Sequence, residues 1–103
     1  MTIYKFSNYS DHPDEPVITT EMEVTEHECS YTIKHTRILK SELYKLKGHG
    51  FKEMYCLENR PDIFIKAMIN DINHDISELE NEISGKKTQV DMWKKMLTTI
   101  PNA

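Results

Sequence analysis

The residues best equipped for chemistry are two cysteines, Cys29 and Cys56, and five histidines, in a chain of 103 residues. His27 and Cys29 stand two apart, so on an extended strand they share a face, and His35, His49 and Cys56 could complete a metal shell. Structural zinc sites present tight ligand pairs such as Cys-x-x-Cys or His-x-x-x-His, and the sequence has neither. The expectation is no metal, with Cys29 a small buried thiol and the histidines facing solvent. A cysteine paired with a histidine would be a thiolate nucleophile, but no spacing selects one pair over another. No Gly-x-Ser-x-Gly elbow occurs, and Gly48-His49-Gly50 lacks both the length and the following lysine and hydroxyl of a phosphate-cradling loop. The paired acids Asp14 with Glu15, and Glu78 with Glu80, fall in loop or helix-surface settings where solvation is the default. The sequence therefore predicts neither catalysis nor a cofactor.

A basic segment over 34–52 is the remaining ligand candidate. Lys34, Arg37, Lys40, Lys45, Lys47 and Lys52 fall close together, interleaved with Tyr31, Tyr44, Phe51 and Tyr55. Positive charge attracts phosphate and aromatic faces stack on bases, so Lys34, Arg37, Lys40, Tyr44, Lys45, Lys47 and Lys52 make up a candidate site for an anionic nucleotide. A competing use for these cations is to neutralise the acidic strand Ile18 to Glu28, whose Glu21 and Glu23 need partners across a sheet.

The net charge of −4 argues against a general nucleic-acid coat, but charge alternates by region. Residues 1–30 carry seven acids against Lys5, and residues 31–52 six bases against Glu42. Residues 53–85 carry eight acids against two bases, and residues 86–103 four lysines against Asp91. Two cysteines cannot build a disulfide framework, no run of about 18 apolar residues could span a membrane, and Met1 to Ser10 does not resemble a secretory signal. The expected location is the cytoplasm, the host cytoplasm if the protein is viral.

Local pattern places these residues on a small sheet followed by helix. Thr2 to Phe6 reads as a short strand and Ser7 to Pro16 as a polar connection rich in turn formers. Ile18, Thr20, Met22 and Val24 alternate with Thr19, Glu21, Glu23 and Thr25, which is the period of a half-buried strand. A reversal at Glu26 to Glu28 leads to a second alternating strand from Cys29 to about Ile38, and the two are expected to pair antiparallel. Ser41 could cap a short helix that Gly48 stops, although the same residues could be a strand. Phe51 to Leu57 reads as a further strand or an extended connector. Asn59, Arg60, Pro61 and Asp62 then form a helix start, with a capping side chain, an early proline and an acid near the positive end of the dipole.

From Ile65 to Ile100 apolar residues recur at alternating steps of four and three. Ile69, Ile76, Ile83, Val90 and Leu97 take heptad position a, and Ile65, Ile72, Leu79, Lys86, Trp93 and Ile100 take position d, with only Lys86 charged. A mean step of 3.5 keeps one seam of an under-wound helix towards a partner, so these residues are the expected oligomer interface. Ser84 and Gly85 could break the run into a hairpin, but the heptad phase passes through Gly85 without a slip and favours one continuous helix. Packing of the whole stripe on the protein's own sheet is the alternative, and a few short strands cannot cover a helix of about 60 Å.

The predicted architecture is α+β: a small antiparallel sheet over 1–57 with a possible short helix, then a long helical oligomerisation segment over 58–103. The function expected from it is that of a non-enzymatic homo-oligomeric binding or inhibitory protein. Its size suits a small viral or mobile-element product that blocks a host protein or sequesters an anionic nucleotide. Alternatives are a nucleic-acid-associated regulator using the basic segment, or an enzyme whose site lies between subunits.

Overall fold

The computed structural model describes residues 1–101 as two compact units, Met1–Ile69 and, beyond it, a second that begins at Asn70. The first is organised around strand β1 (Thr2–Tyr9), which pairs antiparallel with β2 (Ile18–Glu23) on one side and β6 (Phe51–Cys56) on the other. The register sets Ile3 opposite Met22, and Phe6 opposite Met54. Alternation along β1 therefore sends Ile3 to one face of the sheet and Tyr4 and Phe6 to the other.

A second sheet, in the order β3 (Thr25–Glu26), β4 (Ser30–Ile33) and β5 (Thr36–Leu39), supplies the partner for the Ile3 face. Ile3, Val24, Tyr31 and Ile38 are buried together there, flanked by Met22, Tyr55 and Leu57. On the opposite face Phe6, Met54 and Cys56 enclose Phe64 from the start of helix α1 (Pro61–Thr98), with Ile63, Ala67 and Met68 packed around them. The Phe6 and Phe64 ring centroids lie 6.4 Å apart. The first unit is thus three layers, with β1 at the centre of the middle sheet buried on both faces.

Two strand pairings differ from those the alternation suggests. The Ile18 strand pairs with β1 over most of its length, and only its continuation past Val24, as β3, meets β4. Val24 is buried where the chain passes from one sheet to the other. The run from Cys29 to Ile38 is a hairpin of β4 and β5 that turns at Lys34 and His35, with Lys34 in the left-handed region at φ 52°. Alternation continues through such a turn without a glycine to mark it, so periodicity alone reads one strand. Ser41 lies in a single 3-10 turn, Lys40–Glu42, that has no side-chain cap. Ahead of α1, the Arg60 guanidinium donates to Asp62 at 2.8 Å, which holds an acid in the first turn, where the helix dipole favours it.

α1 is one helix that passes through Ser84 and Gly85. No described helix is long and apolar enough to cross a membrane. Among the described residues every buried side-chain nitrogen and oxygen has a partner; Asn8 donates to the Glu15 carbonyl at 3.0 Å and accepts from the Tyr9 amide at 2.8 Å, which ties down the Ser10–Pro16 connection.

Phe64 is the anchor of α1, with 1% of its surface exposed. Phe64→Ala should cost about 3–5 kcal/mol in denaturant unfolding, the range for emptying a buried aromatic site. The glycines should separate by backbone. Gly48 sits at φ +101°, and an added Cβ would lie 2.2 Å from the Phe51 carbonyl oxygen, so Gly48→Ala should destabilise by roughly 1–3 kcal/mol. Gly85 is helical with open space around it, so Gly85→Ala should raise stability by about 0.5–1 kcal/mol in the same assay.

Candidate functional site

The side of α1 that docks on the sheet is not its heptad seam. Ile63, Phe64, Ala67 and Met68 face the central sheet, whereas Ile65 and Ile69 are exposed within the same unit. At 100° per residue, Ile65 and Ile69 lie about 120° or more around the helix from the mean docking direction. The sheet therefore takes one face of the helix and leaves the seam uncovered.

In the second unit the seam is bare. Ile72, Ile76, Leu79, Ile83, Val90, Trp93 and Leu97 are all exposed, from 40% at Ile72 to 69% at Trp93. Phe64 is the only buried residue of the whole helix. From Asn70 to Thr98 the helix would run about 43 Å, on the order of eight turns, with a large apolar side chain or the Lys86 stem at every seam position. Single exposed apolar residues are ordinary, whereas a continuous row of this length is not. The flanks add polarity: Asp75, Glu80 and Glu82 precede Lys87 and Lys94.

The seven candidate ligand residues of the basic segment are spread over several elements. Lys34 sits in the β4–β5 turn and Arg37 on β5 opposite Thr32. Lys40 lies past the far end of β5, on the order of 15 Å along the chain from that turn. It pairs with Glu26 at 3.5 Å and stands 5.4 Å over the Tyr31 ring. Lys47 is bound by the Glu42 carboxylate, and its backbone bridges to Glu53. Lys45 is exposed, and the Lys52 ammonium donates to the Gly48 carbonyl at 2.7 Å. Tyr44, at φ 61°, donates its hydroxyl to Glu58 at 2.5 Å and accepts from the Leu57 amide. Burial and the Glu58 carboxylate raise its pKa. Among the interleaved rings, Tyr31 is buried and Tyr55 packs against the core, so neither offers an open face for stacking. Glu23 is engaged by the Thr2 hydroxyl, and Lys5 rather than a cation of the basic segment pairs with Glu53, at 3.7 Å.

One surface feature of the first unit has no sequence signature. Tyr9 and Phe51 meet across β1 and β6 with ring centroids 4.9 Å apart, and His12 stands edge-on to Tyr9 at 5.6 Å. Both rings are exposed, 48% and 37%. Tyr9 and Phe51 are 42 residues apart, and only the β1–β6 register, which the alternation does not supply, brings them together.

Cys29, expected to be buried, is exposed, and Cys56 is the buried thiol. Cys29 lies in the bend just before β4 rather than on the strand, whereas Cys56, the last residue of β6, packs with Phe6, Met54 and Phe64. No group of three or more His, Cys, Asp or Glu side chains converges on a metal-sized point among the described residues.

Burial and Glu58 push the Cys56 thiol up to about 11. Only the thiolate is nucleophilic, so at pH 8 a disulfide reagent should titrate one thiol per native chain, Cys29, and two after unfolding. The raised pKa favours the native state below about pH 9, and that contribution should be lost as pH rises to about 11, because the unfolded thiol ionises first. A Cys56→Ala control, which keeps the fold's remaining pH dependence, isolates this loss in denaturant titrations at pH 8 and pH 11. Comparisons with protein-family models, curated proteins and solved structures found no match to this chain.

Proposed function

We propose that the chain is a non-enzymatic, homo-oligomeric binding protein, in which α1 assembles copies and the first unit presents the recognition surface. The observation that carries this reading is the uncovered seam of the second unit. An isolated helix depends on tertiary packing of its apolar face for most of its stability in water. A helix of 29 residues beyond Ile69 that buries none of them within the chain needs that packing from elsewhere. A second copy supplies a matching seam by symmetry.

An exposed aromatic surface on the first unit supports a binding role. The exposed Tyr9–Phe51–His12 cluster has the composition of a protein-recognition surface, since aromatic side chains bury large area with few rotatable bonds. The basic segment is a weaker recognition surface, because Lys40 and Lys47 are already paired with acids. Blocking a host protein is one use to which such an oligomer could be put.

Ile76→Asp with Ile83→Asp would bury unpaired carboxylates in the seam, at a cost of several kcal/mol. The double variant should run at the mass of one chain, 12.1 kDa, in light scattering at micromolar concentration, while the parent runs at a multiple of it. Tyr9→Ala with Phe51→Ala should leave the parent's mass unchanged. An unchanged mass in the Ile76/Ile83 variant would mean that the seam does not hold the copies together.

A further inference from the structure

Granting that the seam joins copies of this chain, the geometry points to an antiparallel pair centred between Ser84 and Gly85, and we infer that this is the arrangement of the dimer. The charges that flank the seam decide it. One flank, position e, carries Asn73, Glu80, Lys87 and Lys94, and the other, position g, carries Asp75, Glu82, Gln89 and Met96. All eight are exposed on the second unit.

Parallel pairing in register brings each g residue to the partner's e residue five positions on. Asp75 then meets the partner's Glu80, a like-charge contact made twice, which cancels the two contacts of Glu82 with the partner's Lys87. It also sets Lys86 against the partner's Lys86 inside the seam, two ammonium groups in an apolar interface. Antiparallel pairing instead brings e against e and g against g. Centred on Asn81, it opposes Glu80 to Glu80 and Glu82 to Glu82. Displaced by half a heptad, so that the axis falls between Ser84 and Gly85, it sets Glu80 against the partner's Lys87 twice and leaves no like-charged pair.

Two further observations agree with that register. Its helical layers join Ile72 to the partner's Leu97, Ile76 to the partner's Trp93 and Leu79 to the partner's Val90, so the overlap runs over 72–97. It lies within the helix and beyond Met68, the last residue packed on the sheet. Lys86 lies beside the partner's Ile83, where its methylene stem can cover the isoleucine while the ammonium reaches water.

The test uses the full chain with Cys29→Ser, leaving Cys56 buried. Spin labels at His74→Cys and at Asn81→Cys, both exposed outer positions, should report different distances. The proposed register offsets the paired labels along the axis by about 32 Å at position 74 and about 11 Å at position 81. Equal short distances at both positions would establish parallel pairing and overturn the inference. Glu80→Lys reads the same choice by sign: the antiparallel dimer should weaken about tenfold at low salt, whereas a parallel dimer would tighten. Adding Lys87→Glu should restore the antiparallel dimer. A parent that stays at 12.1 kDa overturns oligomerisation itself, whereas a dimer with coincident labels overturns only the orientation.

Discussion

The helix α1 has two apolar faces and the sheets can cover only one of them. Phe64 fills the space between Phe6, Met54 and Cys56, and Ala67 and Met68 close around it. That docking fixes the rotation of the helix in the first unit and so fixes where Ile65 and Ile69 point, which is outward. The heptad spacing continues through Ile72 to Leu97, whose side chains are exposed in the second unit. Burial of roughly 25 cal/mol per Å² on a second copy is the available compensation for a row of exposed isoleucine, leucine and tryptophan.

The first unit is built to present loops and edges while its centre is protected. β1 is hydrogen-bonded on both sides and buried on both faces, and the outer strands carry the charged side chains Glu21 and Glu23 on β2 and Glu53 on β6, which discourage further strand addition. Gly48 at positive φ allows the Phe51 carbonyl to come close, and the Ser10 amide bonds to the Gly50 carbonyl at 2.8 Å. These two contacts set the ends of β1 and β6 side by side. The Tyr9–Phe51 pair stands on that frame.

Much of this was legible in the residues because it depends on local period. The strand from Ile18, the strand from Phe51, the helix start at Pro61 and the continuity through Gly85 all follow from spacing and from the proline and acid in the first turn. What escaped was long-range pairing. Alternation states that a strand has two faces but not which strand it meets: it suggests that β2 pairs with the strand that follows it, whereas β2 pairs with β1. The turn at Lys34 escaped because a lysine with positive φ carries no sequence mark. Which cysteine is buried depends on the face that β6 turns to Phe6, which also needs the register. The basic segment looked concentrated in one dimension and is dispersed in three, because a hairpin and a turn separate Lys34 from Lys40 and Lys47.

The central claim is that the second unit owes its helix to contacts with another copy. Amide hydrogen exchange over 72–97, followed at micromolar concentration and again after dilution well below the dissociation constant, tests it most directly. Assembly predicts strong protection across those residues that falls on dilution, while protection of β1 and β6 stays constant. Weak protection over 72–97 that does not change with concentration would contradict the account.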